Sequence, residues 1–64
     1  MVAAWFIVDV FSDVRMQYRI AAETIEADAS DSAMHKVAEQ YPQARTFRCL
    51  EIREEIAKRL RRNK

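Results

Sequence analysis

The sequence predicts an α+β domain built on one three-stranded, mainly antiparallel sheet, in the chain order strand, strand, helix, strand, helix. Three patterns lead to this prediction: an early run of aromatic and β-branched residues, a second alternating segment, and two apolar stripes of helical period. The 64 residues are expected to form a single domain, residues 1–64, with a small core. With one cysteine and no glycine, the chain can form no intrachain disulfide and no glycine-rich phosphate loop.

The first strand is predicted over residues 3–12, where aromatic and β-branched residues predominate. Alternation divides this strand into two faces, one with Phe6, Val8 and Val10 and the other with Trp5, Ile7, Asp9 and Phe11. Because both faces are largely apolar, we expect a central strand or a strand that is covered on both sides.

A second strand is predicted from residue 15 to about residue 27, after a turn over residues 12–15. Residues 21–23, Ala-Ala-Glu, interrupt its alternation and predict a bulge. A competing interpretation begins a helix at Thr24. The aspartates and serines that follow disfavour this helix, because their side chains compete for backbone hydrogen bonds.

The first helix is predicted to begin with Asp28 or Ser30 as its capping residue, since either side chain can accept a bond from a free first-turn amide. It runs to the residue before Pro42, which biases its predecessor away from helical geometry. An apolar stripe with a spacing of four, expected to lie on the sheet, consists of Ala33, Val37 and Tyr41.

A third strand is predicted over residues 45–52, with Phe47 and Cys49 on one face. The predicted first helix covers only one face of the resulting sheet. We expect the other face to be covered by the final helix or by a second copy of the chain in a homodimer.

The final helix is predicted over about residues 53–62, with an apolar stripe formed by Ile52, Ile56 and Leu60. Its acidic residues come first and its basic residues last, as the helix dipole favours. Two i, i+4 ion pairs are suitably oriented, Glu54 with Lys58 and Glu55 with Arg59.

Charge is distributed unevenly along the chain. Residues 58–64 hold five of the eleven cationic side chains, namely Lys58, Arg59, Arg61, Arg62 and Lys64. Residues 1–57 carry six Lys or Arg against ten Asp or Glu, which gives them a formal charge of −4. Three interpretations of the basic end stay open: a solvated helix terminus, a contact with nucleic acid, or a contact with an acidic patch of a protein partner.

The sequence predicts a non-enzymatic protein that holds no cofactor or metal. Nucleophilic catalysis needs a nucleophile beside a base, and the single histidine, His35, falls on the predicted solvent side of a helix. Cys49, in a strand, is typical of a small core residue rather than of a reactive thiol. One cysteine and one histidine are too few ligands for a structural zinc site.

Asp9 stands among apolar residues of the first strand. It is interpreted as an exposed residue, as the acid of a cross-strand ion pair with Arg19 or Arg48, or as an acidic contact to a partner beside Trp5. Trp5 itself is interpreted either as a core residue or as the anchor of an interface.

The first eight residues are apolar, but Asp9 ends the run and no cation precedes it. A signal peptide requires that cation, and a membrane-spanning helix requires about 20 apolar residues. We therefore expect a cytoplasmic protein with no membrane partner.

Several segments resemble a pattern of small phage-encoded proteins: residues 27–34 (ADASDSAM), Val37, residues 40–42 (QYP) and residues 47–53. A strand ends in alanine and an acid, a helix begins with polar residues, and a strand returns after a proline turn. This pattern is similar to that of the RNA-polymerase inhibitors of lytic coliphages.

The resemblance implies a compact domain that binds host polymerase in the host cytoplasm. In that family, arginines on and after the last strand meet acidic patches of the polymerase. Arg53 falls at such a position, whereas Glu51 stands where another arginine is expected. The basic C-terminal helix has no counterpart in that pattern.

The first hypothesis is therefore a small interaction protein, encoded by a phage or mobile element, that inhibits a larger host protein by covering part of its surface. The predicted contacts combine an aromatic anchor, an acid, strand arginines and the basic helix: Trp5, Asp9, Phe11, Arg48, Arg53, Lys58, Arg59, Arg61 and Arg62. The alternative hypothesis is a dimeric nucleic-acid-binding module that uses the basic C-terminal helix.

Overall fold

A computed structural model describes residues 3–62 of the chain and confirms the predicted α+β class and element order. The elements are β1 (Ala4–Phe11), β2 (Arg19–Ala27), α1 (Ser30–Gln40), β3 (Thr46–Ile52) and α2 (Glu54–Arg62). The sheet order is β2-β1-β3, and β1 is antiparallel to both neighbours. The first strand is therefore central, as its two apolar faces predicted.

One face of the sheet, named here the α1 face, holds the main core. This core consists of Phe6, Val8 and Val10 of β1, which are buried with Ala33 and Val37 of α1. Val8, Val10 and Val37 are fully buried, and burying a valine contributes about 1.5–3 kcal/mol. The predicted stripe of α1 is confirmed, because the residues at its spacing of four are those that reach the core.

β2 begins four residues later than predicted, because residues 12–18 form an ordered connection. The Asp13 carboxylate accepts hydrogen bonds from the backbone N–H of Gln17 at 3.0 Å and of Tyr18 at 2.9 Å. These bonds, that of Tyr18 first, hold the pKa of Asp13 below its ordinary value. Met16 adopts a positive φ of 60° within the connection. A side chain that satisfies local amides in this way competes with strand pairing.

The predicted bulge is present, but it lies one residue earlier than expected. Val10 pairs with Ala21 while Phe11 pairs with Arg19, so Ile20 is the extra residue. Beyond it the ladder continues regularly through Thr24 to the end of β2. The competing helix at Thr24 is thereby excluded.

Neither predicted capping residue caps α1. The N-cap position falls between them, on Ala29, whose backbone is extended and whose side chain can accept no bond. At the other end of α1, the Tyr41 hydroxyl donates to Glu23 Oε2 at 2.6 Å. This bond fastens the end of α1 to β2, and it raises the pKa of Tyr41.

α2 covers part of the opposite face of the sheet, named here the α2 face. Its fully buried residue is Ala57, whereas Ile56 and Leu60 of the predicted stripe remain 44% and 38% exposed. The predicted stripe was therefore wrong by about one residue. Alanine lets a helix backbone approach a sheet more closely than isoleucine or leucine does. Neither helix within residues 3–62 is long and apolar enough to cross a membrane.

Candidate interaction surface

The α2 face carries a buried acid held by two arginines, a cluster named here the Asp9 triad. The register of the sheet places Arg48 directly opposite Asp9 on β3, while Arg19 lies beside the bulge on β2. Asp9 is only 7% exposed. Arg48 donates from Nη2 and Nε to Asp9 Oδ2 at 2.8 and 3.2 Å, and Arg19 donates from Nη1 to Oδ1 at 3.4 Å.

The Asp9 triad leaves one net positive charge at the surface, because two arginines meet one carboxylate. Both arginine side chains are mostly exposed, so their guanidinium groups keep donors free for further acceptors. No buried side-chain nitrogen or oxygen within residues 3–62 lacks a hydrogen-bond partner. The buried carboxylate of the triad is thus fully paired, and the exposed guanidinium groups make its outer side cationic.

Arg48 also covers the ring of Phe11. Its guanidinium carbon lies 5.7 Å from the ring centroid, within the range of a cation–π contact. Phe11 is itself buried, at 4% exposed. The structure therefore places the Arg48 guanidinium, and not the Phe11 ring, at the surface available to a partner.

A second arginine–aromatic contact joins α2 to β1. Arg61 lies over the Trp5 ring, with its guanidinium carbon 5.4 Å from the centroid. An open depression of about 500 Å³ adjoins this contact and is lined by Trp5, Thr24, Ile25, Glu26 and Arg61. Trp5 is partly exposed, so it is neither a fully buried core residue nor a fully exposed anchor.

Two further cations of α2 adjoin the same arginine. Lys58, Arg61 and Arg62 line a further depression of about 490 Å³. We name the surface formed by Trp5, Glu26, Lys58, Arg61 and Arg62 the Arg61 groove. The nearest acid on α2 is Glu54, whose Oε1 lies 3.9 Å from Lys58 Nζ. This pair confirms one of the two i, i+4 ion pairs predicted for the helix.

The structure brings most of the predicted contacts onto one side of the molecule. Trp5, Asp9 and Phe11 alternate along β1 on the α2 face, with Arg48 beside Asp9 and Arg61 above Trp5. Trp5 and Asp9 are four residues apart, so the groove and the triad are separated by about 13 Å along the strand. Arg53 immediately precedes α2 and Arg59 lies in the middle of it, and both are exposed. Lys64, counted in the basic end, lies outside the described residues.

Two residues contribute to this surface although the predicted contact set did not include them, Glu26 in the groove and Arg19 in the triad. The sequence predicts a pair of Asp9 with Arg19 or with Arg48, whereas in the structure both arginines bind Asp9. The bulge at Ile20 brings Arg19 level with Phe11. An alternation count cannot place a residue on a face once an unpaired residue interrupts the strand.

The other chemical candidates lie away from this surface. His35 is exposed and pairs with Glu39 at 3.3 Å. Cys49 is half-buried on the α1 face, where burial and, second, the charge of Asp31 raise the pKa of its thiol. Within residues 3–62, no three His, Cys, Asp or Glu side chains are grouped so that they could hold a metal ion.

Comparisons with protein-family models, with curated proteins and with solved structures found no match to this chain. The resemblance to the coliphage polymerase inhibitors therefore stays a prediction. The class that the structure defines is a small α+β domain with arginine–aromatic contacts on one face of its sheet.

Proposed function

We propose that this chain is a non-enzymatic interaction protein that binds an acidic surface of a larger protein through its α2 face. The observation that carries the proposal is the Arg61 groove, where Arg61 lies over a partly exposed tryptophan and lines a depression with two further cations, Lys58 and Arg62. Arginine and tryptophan are enriched among the residues that dominate binding energy at protein interfaces. The Asp9 triad, about 13 Å away along β1, supplies a second cationic contact on the same face.

A protein partner fits this surface better than nucleic acid does. Glu26 lies in the groove and Glu54 pairs with Lys58, so the cations do not form the uninterrupted row that a phosphate backbone requires. Leu50, on the same face as Trp5, is 62% exposed. An aliphatic side chain at the surface contributes to a protein interface and contributes little to a phosphate backbone contact.

The mechanism of such a protein is occlusion. Bound through the α2 face, the chain covers an acidic patch of its target and excludes the target's other ligands from that patch. Charge complementarity raises the association rate and fixes orientation more than it sets affinity. A phage or mobile-element inhibitor in the host cytoplasm belongs to this class. For that origin, the support is the sequence resemblance alone.

The first test measures binding to two defined probes, a fluorescein-labelled glutamate-rich peptide and a labelled DNA duplex, by fluorescence anisotropy. The paired variants are K58Q/R62Q, in the groove, and R15Q/R45Q, two exposed cations outside it. Both variants remove two positive charges. We expect K58Q/R62Q to weaken peptide binding by about tenfold or more, because each lost charge-assisted contact contributes over 1 kcal/mol. R15Q/R45Q is expected to bind nearly as the parent chain does.

Two results would overturn the proposal. Equal losses in both variants would mean that net charge, and not the groove, attracts the peptide. Tight duplex binding whose association constant falls by about 0.9 log units per contacting cation for each tenfold rise in salt concentration would indicate the nucleic-acid module instead. With binding established, a tagged chain in nuclease-treated bacterial lysate identifies the target, and K58Q/R62Q is the matched negative bait.

A further inference from the structure

α2 presents two different flanks to solvent, one on each side of its sheet-facing stripe. Ala57 and Arg61 mark that stripe, since Ala57 is fully buried and Arg61 lies over Trp5. Each residue of a helix is rotated by about 100° from the one before it. Ile56 and Leu60, which each precede the stripe by one residue, therefore lie on one flank. Lys58 and Arg62, which each follow it by one residue, lie on the other.

The Ile56–Leu60 flank is an apolar strip that residues 3–62 leave uncovered. Both side chains keep more than a third of their surface exposed, although they stand next to a fully buried alanine. Glu55 and Arg59 lie on the solvent side of this strip, one residue before Ile56 and Leu60 respectively. Among the described residues, Glu54 pairs with Lys58, but Glu55 and Arg59 make no ion pair within 4.0 Å. The second of the predicted i, i+4 pairs is thus absent.

We infer that a second copy of this chain docks on the Ile56–Leu60 flank, with the two α2 helices antiparallel about a two-fold axis. The charge order of α2 makes the helix complementary to itself in that orientation, because its acids are in the first turn and its bases in the last. Ile56 of one copy then meets Leu60 of the other. On the solvent side, Glu55 of each copy faces Arg59 of the other, which gives two reciprocal ion pairs.

The apolar contact leaves Lys58 and Arg62 on the opposite flank of the helix, where they line a solvent-side depression together with Glu55 and Arg59. Dimerisation and target binding are tested by different variants, at residues 55 and 59 for the dimer and at residues 58 and 62 for the groove. The contact between two nine-residue helices is smaller than a standard stable interface. We expect a dissociation constant of about 10–100 µM, as for a weak, transient complex.

Sedimentation equilibrium of the whole chain tests the inference, over protein concentrations from about 5 µM to about 1 mM, which bracket that constant. The parent chain is expected to shift from monomer to dimer across this range. Glu55→Arg and Arg59→Glu each place like charges in both reciprocal pairs, and each is expected to weaken the dimer by about tenfold or more. Arg15→Glu, on the β1–β2 connection, makes the same charge change as Arg59→Glu outside the flank and is expected to leave the dimer unaltered.

An equimolar mixture of the two single variants gives the decisive result. The mixture is expected to form a heterodimer, because the cation substituted at position 55 of one variant faces the acid substituted at position 59 of the other. The second reciprocal pair keeps its native members, Arg59 of the first variant and Glu55 of the second. The double variant E55R/R59E is likewise expected to recover the homodimer.

Circular dichroism shows whether each variant is folded, so that a loss of association can be separated from a loss of structure. A parent chain that stays monomeric to about 1 mM would overturn the inference. Single variants that dimerise normally would overturn it as well, and so would a mixture that does not associate.

Discussion

The two faces of the sheet are built from the same central strand, yet they differ in how they are closed. On the α1 face, the even-numbered residues of β1 meet a helix whose stripe fits between them, and the valines there are fully buried. On the α2 face, the odd-numbered residues include a buried carboxylate and two aromatic rings covered by arginines. Helix α2 contributes only one fully buried residue, Ala57.

This difference separates the stability of the fold from its interaction surface. An apolar face closed by an 11-residue helix supplies most of the hydrophobic stabilisation, which is proportional to the apolar area removed from water. On a face covered by guanidinium groups, hydrogen-bond donors remain at the surface and can donate to the acceptors of a partner. Substitutions on the α1 face should therefore affect the free energy of unfolding, and substitutions on the α2 face should affect binding more than folding.

The largest effect is expected for Val8→Ala on the α1 face. Val8 is fully buried, so the loss of two methyl groups and the cavity left behind should lower the free energy of unfolding by about 2–3 kcal/mol. Urea denaturation followed by circular dichroism measures this change. The matched control is Val14→Ala, because Val14 is 70% exposed and should change stability by less than about 0.5 kcal/mol. Similar losses in the two variants would contradict the assignment of the core to the α1 face.

The second effect concerns the packing of α2 against the sheet. Ala57→Leu adds bulk where the helix backbone approaches most closely and should destabilise the fold by about 1–3 kcal/mol. Ile56→Ala removes a half-exposed side chain and should cost about 1 kcal/mol or less. Thermal denaturation of both variants distinguishes the observed stripe from the one predicted by the sequence. A larger loss for Ile56→Ala would restore the predicted stripe.

The third effect is smaller and asymmetric within the Asp9 triad. Arg48→Gln should destabilise the fold by about 1–2 kcal/mol, because it removes two charge-assisted bonds and leaves a buried carboxylate with one partner. Arg19→Gln removes one bond of 3.4 Å and should cost less than about 1 kcal/mol. Urea denaturation of the two variants, with Arg45→Gln as an exposed control, gives the ranking. Equal costs would mean that the two arginines are interchangeable.

The sequence was sufficient to predict the fold class, the central strand and the α1 stripe, since each depends on regular periodicity. Where a local interaction competes with periodicity, the prediction failed. Asp13 binds two backbone amides and delays β2, and Ile20 shifts the register by one residue. Neither effect alters the hydrophobic pattern of the sequence, so no count of spacings can detect it.

The candidate surface was predictable only as a set of residue types. Both the aromatic residues of β1 and the basic end of the chain stand out in the sequence, but their pairing does not. The contact between Arg61 and Trp5 joins residues 56 positions apart, and it depends on which stripe of α2 faces the sheet. Ala57, the smallest residue of the helix, is the buried residue that faces the sheet. A search for large apolar residues does not detect it.

The smallest expected effect is kinetic and tests whether the α1 face is closed at its β3 edge. Burial of Cys49 and the nearby charge of Asp31 raise the pKa of the thiol above its ordinary 9.0, so the thiolate fraction at neutral pH is lower than in an unfolded chain. The native chain should therefore react slowly with a thiol reagent, and its rate should rise with pH to a midpoint above 9.0.

The urea-unfolded chain is the reference, and it should react faster at every pH below that midpoint because its thiol has its ordinary pKa. Asp31→Asn removes the second cause of the shift and should raise the native rate only slightly, since burial is the larger cause. A native rate equal to that of the unfolded chain would show that this edge of the α1 face opens readily. The division between a closed stabilising face and an open binding face would then fail at β3, the strand that supplies both Cys49 to one face and Arg48 to the other.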